Sequence, residues 1–348
     1  MLGLFIPVGF LVASSLVVLG SISPELFFLQ LSWASLGLVA VITLYFVDWR
    51  SIFYYRWAIN ILYAVSILLL VVVYFSGPLI NQTKSWLVFG QFNFQPVELA
   101  KVSLILFFAR YFSRKHLSVA RWSNILTSFG YFAIPAGLVA LQPDLGSASV
   151  LFVIWLGFLL LSGLPWKRVL VACLVFLVVG IFMWQFYLDD YQKDRIFGMF
   201  YPEKNVLGIN YSANQAKIAI GSSGFFGKGY GQGTQTQLKF LTEPATDFII
   251  SALIEEWGLL GGILGISAFL FLIHQIIKIA ANTDKNFEKF ICLGAVLSFS
   301  WQFFLNVGSN TGISPVVGVT FPFLSYGGSS LLTSFFLLSI INAIGRKN

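Results

Sequence analysis

Residues 189–247 read DDYQKDRIFGMFYPEKNVLGINYSANQAKIAIGSSGFFGKGYGQGTQTQLKFLTEPATD, and residues 248–265 continue FIISALIEEWGLLGGILG. The first part is a polar interlude of about sixty residues in a chain that is otherwise apolar and short-looped. The second is an apolar run carrying Glu255 and Glu256, where charge is costly. A long polar loop followed by acids driven into the next helix marks the place where such a chain keeps its chemistry.

The rest of the sequence sets the frame. Of 348 residues, 57% are hydrophobic and only 10% are charged, with a mean hydropathy of +0.84. Soluble domains carry about 25% charged residues. Apolar runs of about 20 residues recur, the length of a membrane-spanning helix; the shorter alternating segments of a β-barrel are not seen. The expected fold is therefore an all-α polytopic membrane protein. The first run starts at Leu2 without a basic leader or a small-residue cleavage site, so it reads as a retained span. Cys173, Cys292, His116 and His274 make no zinc or haem set. The net charge of +7 reads as a topology signal, with no nucleic-acid partner expected.

Ten spans are expected, at about 3–22, 27–47, 57–76, 97–113, 126–142, 146–163, 167–186, 247–275, 287–307 and 319–343. Thirteen of the 21 Lys and Arg residues fall on one side in short loops, where the positive-inside rule applies. Most of the other eight lie in the long loop, which the rule discounts. Both termini are then cytoplasmic, and the loop at about 187–246, between the seventh and eighth spans, faces outward. The inside loops are too short for a nucleotide-binding domain. GSSGFFGKGYGQG is not a P-loop either, since Ser222 stands where the first glycine belongs and Gly229, not Ser or Thr, follows Lys228. An outer-face reaction must therefore use a substrate that arrives activated, and a lipid-borne donor is the natural one.

Four helix starts on that outer side carry unusual polar residues: QPVELAK, QPDLGSA, TEPATDF (242–248) and the start that follows NVGSNTGISPVVGVTFPFLSYGGSS (306–330). QPVELAK (95–101) puts Glu98 and Lys101 three apart on one helix face, where they can pair; an interfacial ion pair explains them equally well. In QPDLGSA (142–148), Asp144 fits a plain N-cap. Asp247 also suits a helix N-terminus; read functionally, it is a general base at the membrane surface, which must be ionised when substrate arrives. Glu255 and Glu256 lie about 12–13 Å deeper at 1.5 Å per residue and read as supporting contacts to other helices. Trp86, like other tryptophans at helix ends, reads as an interfacial anchor. Residues 211–221 fit a short interfacial helix with Lys217 on its polar side.

KSW (84–86), QPVELAK, LQPDLGSA, YQKDRI (191–196), GFFGKGYGQGTQTQLKFL (224–241), TDFI with EEWG, and PVVGV with SYGGSS (325–330) occur in order. Together they resemble the SEDS family, the RodA/FtsW/SpoVE proteins, over about residues 45–345. Trp257 after the Glu pair makes RodA the nearer likeness. The resemblance implies a single ten-span domain over residues 1–348 in the bacterial cytoplasmic membrane. It implies a peptidoglycan glycosyltransferase that polymerises lipid II for cell elongation and shape, with a class B penicillin-binding protein as partner. Asp247 matches the family's essential acid. Glu98, Lys101 and Asp144 match cavity positions, and Ser325 of SYGGSS is placed with them at the substrate. Ala245 departs from the histidine that many relatives have there.

Glycosyl transfer from a polyprenyl diphosphate needs one base, Asp247, and cations for the leaving group. Lys101, Lys217, Lys228, Lys239 and Arg195 qualify, or a divalent ion, Mg or Mn, held by phosphates and one or two acids; no cofactor is otherwise expected. Two alternatives stand: a lipid II flippase or transporter, and a non-enzymatic scaffold of the cell-wall machinery.

Overall fold

The computed structural model describes residues 2–46, 55–80, 83–90, 92–115, 121–186, 188, 190–201, 208 and 210–346. His116 and the side chain of Cys173 lie outside the described residues. The chain is mostly helical: α1 (Leu2–Ile22), α2 (Pro24–Phe46), α3 (Arg56–Ser76), α4 (Pro96–Lys115), α5 (Trp122–Leu141), α6 (Leu145–Leu161), α7 (Trp166–Phe186), α8 (Asp190–Phe200), α9 (Tyr211–Ser222), α10 (Thr234–Gln237), α11 (Ile249–Ala281), α12 (Asn286–Thr311) and α13 (Gly328–Gly345). Strands β1 (Leu87–Phe89) and β2 (Phe92–Phe94) form a small antiparallel hairpin before α4, an addition to the all-helical expectation.

Among the described residues, seven helices are long and apolar enough to cross a membrane: α1, α2, α3, α5, α11, α12 and α13. The expected spans at 97–113, 146–163 and 167–186 also form helices, but they fall outside that set. One reason is plain at α4, which carries Glu98, Lys101 and Arg110 and yet lies at the centre. Its flanks pack on α3, α6 and α12, and Val97, Val102, Leu104, Ile105, Leu106, Phe108 and Phe112 are all buried. A helix enclosed on every side needs no lipid-facing stripe.

Local chemistry sets the ends. Pro96 opens α4, where its missing N–H costs nothing. Asp144 caps α6 by accepting the Ser147 N–H at 3.0 Å. Gly312 ends α12 in the left-handed conformation, φ 82°. The last span starts later than expected, at Gly328 rather than 319, because the chain turns at residues 322–325, tied by hydrogen bonds between Phe321 and Ser325.

The largest departure lies in α11. Its 33 residues would reach about 50 Å, well beyond a hydrocarbon core of about 30 Å. Gly258 breaks it, at φ 72° and ψ −176°. The second part, 259–281, is about 35 Å long and crosses alone. Glu255 and Glu256 belong to the stub before the break. Both remain buried, at 0% and 1% exposed, and partners from the loop over 228–237 and from α1 offset that cost.

Candidate active site

The polar helix starts meet at one end of the bundle. Gln95 Nε2 donates to Asp144 Oδ2 at 3.2 Å, joining the starts of α4 and α6. The Gln95 N–H donates to Ser329 Oγ at 3.3 Å, joining α13 to them. Lys101 Nζ meets Glu98 Oε1 at 2.8 Å with both side chains buried, and Thr333 Oγ1 reaches Glu98 Oε2 at 3.4 Å. Burial pushes the Asp144 carboxyl up, while the Ser147 hydrogen bonds and the Lys101 charge pull it down.

Asp247 lies two residues ahead of α11 and is half-buried. Burial pushes its carboxyl up to about 6; Glu243 and Asp144 push the same way, and Arg195 opposes them. The segment before it is pinned from α13's side. Ser325 Oγ donates to Thr246 O at 2.6 Å and accepts the Phe321 N–H at 2.9 Å. The Tyr326 N–H donates to Ala245 O at 2.8 Å. Gly318 faces the carboxylate; a Cβ there would come within 3.8 Å of Oδ2. Among the described residues, then, Glu98, Lys101, Asp144, Asp247 and Ser325 are joined into one region. Ser325 acts in it through the backbone it holds.

Beside this region Arg195, Asn210, Asn214 and Lys217 line a small cleft with Gly312, Ser314 and Val316 that opens to solvent. Arg195 Nη1 donates to Val316 O at 2.9 Å. Lys217, on α9, lies against Gly312, where any Cβ would strike its ammonium end. Two cations thus flank one cleft, and one of them acts electrostatically on Asp247.

The other sequence-expected residues are not part of this grouping. Lys228 Nζ pairs with Glu255 Oε1 at 2.9 Å. Glu255 also accepts from the backbone of Gln235 and Thr236 and from the Thr236 hydroxyl, at 2.8, 3.1 and 2.8 Å. Glu256 accepts from Ser21 Oγ at 2.6 Å and from the Gly231 N–H at 3.2 Å. These acids fold the loop over 228–237 onto α11. Lys239 is exposed in a turn at φ 61°. Trp86 is half-buried just ahead of β1. Among the described residues no group of three or more His, Cys, Asp or Glu is placed to hold a metal.

Four carboxamides had no role assigned from the sequence: Gln30, Gln95, Asn306 and Asn310. Gln30 is fully buried in α2 and donates to Ser325 O at 3.3 Å. Asn306 and Asn310 of α12 both donate to the Asp247 carbonyl, at 3.1 and 2.8 Å. The visible signal was NVGSN (306–310), two amides four apart on one face of an apolar helix. It reads as part of a loop when the helix end is drawn at 307.

The comparisons with known proteins agree with one another. The family model for FtsW, RodA and SpoVE, described as "Cell cycle protein", matches residues 1–348. The peptidoglycan glycosyltransferase MrdB of Escherichia coli strain K12 is 35% identical over 343 residues, covering 98% of this chain and 92% of that protein. The peptidoglycan glycosyltransferase RodA of Treponema pallidum is 28% identical, covering 91% and 89%. Among solved structures, a chain from "Structural coordination of polymerization and crosslinking by a peptidoglycan synthase complex" superposes with a TM-score of 0.86 at 29% identity, covering 100% of this chain and 98% of that one. The rod shape determining protein RodA of Thermus thermophilus gives 0.74 at 28% identity, covering 100% and 97%. With its whole length matched and its fold shared, the chain belongs to the FtsW/RodA/SpoVE family.

Proposed function

We propose that this chain is a peptidoglycan glycosyltransferase of the bacterial cytoplasmic membrane, which polymerises lipid II into glycan strands on the outer face. Residues 1–348 form one domain of ten spans with both termini inside, and the loop at about 187–246 lies outside. A class B penicillin-binding protein is its partner for crosslinking. The observation that carries the activity is Asp247: a half-buried carboxylate held near pKa 6, between an acidic helix cluster and a two-cation cleft.

In the reaction, Asp247 takes the proton of the acceptor sugar's 4-hydroxyl as that oxygen attacks the anomeric carbon of the donor. The bond from that carbon to the diphosphate breaks, and the polyprenyl diphosphate leaves with the electron pair. A diphosphate needs no acid catalyst, so a single carboxylate suffices and no glycosidase-type pair is required. Charge grows on the leaving oxygens and calls for fixed cations. Arg195 and Lys217 are the assigned pair. Lys228 is committed to Glu255, and Lys101 to Glu98. Glu98, Lys101 and Asp144 shape the floor of the substrate region, with Ser325 holding the turn beside it.

One observation favours the flippase reading: α11 is a broken helix, as transport sites often are. The groups freed by the break bond to residues 224–229, however, and not to a midplane cavity, so catalysis is the better reading. Purified protein, with and without its partner, is given labelled lipid II and assayed for glycan strands. Polymer from the wild type and none from Asp247→Asn is expected. Polymerisation at the wild-type rate by Asp247→Asn would sink the assignment. Lipid movement that survives this change, without polymer from either protein, would favour the flippase.

A further inference from the structure

We infer that Asn306 and Asn310 are positioning residues for the base, locking the Asp247 peptide so that its carboxylate keeps one direction through turnover. This rests on the reading of Asp247 as that base.

Phe248 is the N-cap of α11 and its carbonyl takes the first helical bond, from the Ala252 N–H at 3.1 Å, so the Asp247 carbonyl one residue earlier lies outside the ladder. A buried carbonyl in that place needs a donor, and one amide would satisfy it. Two are present, from successive turns of α12, at 3.1 and 2.8 Å. All four amide hydrogens of the pair are used. Asn306 gives its second to Val319 O at 2.9 Å, and Asn310 gives its second to Asn306 O at 2.8 Å. The orientation of Asn310 is fixed in turn, because its Oδ1 accepts from the Ser251 hydroxyl in the first turn of α11. Asn306 is 1% exposed and Asn310 fully buried.

The result is a closed ring. From Asp247 O it runs through Asn310 to Ser251 and back along the chain to residue 247. A second arm through Asn306 ends on Val319, next to Gly318, the residue that faces the carboxylate. Fixing the 247–248 peptide fixes the Cα–Cβ direction at Asp247. Mere satisfaction of a carbonyl requires neither the second amide nor the hydroxyl that orients the first. A general base has to sit within hydrogen-bond reach of the proton it removes, and a displacement of about 1 Å lowers turnover by about 100-fold.

Steady-state polymerisation of labelled lipid II, per folded protein, separates the roles. Asn310→Leu is expected to lower kcat by about 10- to 100-fold with KM within about twofold of wild type. Ser251→Ala, a milder change that leaves the helix intact, is expected to lower kcat in the same direction by a smaller factor, about three- to tenfold. If Asn310→Leu does not fold, Ser251→Ala decides alone. Unchanged kcat per folded molecule in the variants that fold, or a rise in KM alone, with Asp247→Asn inactive, overturns the positioning role and leaves the base in place. Full activity in Asp247→Asn overturns the base assignment itself, and this inference with it.

Discussion

At Asp247 burial, two neighbouring acids and one arginine act on a single carboxyl, and burial prevails, holding it near 6. A base works only when ionised, so kcat/KM for polymerisation should fall on the acid side with a midpoint near pH 6. The same shift acts on stability. The folded state binds this proton more tightly than the unfolded chain, whose Asp titrates near 3.9. The group therefore adds stability below about pH 4, and that contribution is lost as pH rises through 6. At pH 7.5 the charged form costs on the order of 2–3 kcal/mol, at 1.36 kcal/mol per pKa unit. Asp247→Asn should then unfold at a higher temperature than wild type at pH 7.5, with the gap closing below pH 4. Thermal melts across that range check it, and a variant less stable than wild type at pH 7.5 would contradict it. The buried Glu98–Lys101 pair behaves differently. Lys101→Met strands a buried carboxylate and should cost about 3–5 kcal/mol. Removing both charges, with Glu98→Gln added, should restore much of that loss in the same melts.

Among the elements, the break in α11 is a built joint. Gly258 stands at φ 72° and Gly227 at φ 81°, and a Cβ on either would collide with the backbone of the other segment. The Lys228 and Gly229 N–H groups donate to Glu255 O and Glu256 O, both at 3.0 Å, while Leu259 and Leu260 donate to Gly224 O and Phe225 O. The groups that a continuous helix would pair internally are paired with the loop, as a membrane setting demands. In an ordinary helix Gly→Ala gains about 1 kcal/mol. Gly258→Ala should instead lose at least about 1–3 kcal/mol from the left-handed conformation alone, measured by thermal unfolding in detergent. Glu255→Gln should loosen the loop over 228–237, seen as faster amide exchange there with little change in α13.

For the whole molecule, the proposed ten-span topology, with the loop at about 187–246 outside, makes a geometric forecast. Lys239→Cys, on the exposed outer turn, should react with a membrane-impermeant thiol reagent in intact cells or spheroplasts. Asp284→Cys, exposed between α11 and α12, should react only after permeabilisation. Reaction of both from one side would overturn the orientation.

How much of this was legible follows from range. Composition, the roughly 20-residue apolar period and the basic-residue count are local or additive, so the membrane class and the places of most long helices could be read directly from the sequence. The acid at the loop-to-helix junction stood out because charge is scarce in such a chain. What stayed hidden depends on partners far apart in sequence. Glu255 looked like a costly charge in an apolar run until the loop at 228–237, docked at the Gly258 break, supplied its partners. Lys228 looked like a substrate cation until Glu255 claimed it. Asn310 fell in an expected loop, and Asn306 at the last turn of an expected span, until α12 carried both to the Asp247 carbonyl some sixty residues upstream. The sequence by itself determined which residues are costly to bury, because that cost belongs to the side chain. Only the tertiary structure decided which of those costs are cancelled by a partner, because a hydrogen bond or ion pair exists only where packing brings both groups within about 3 Å.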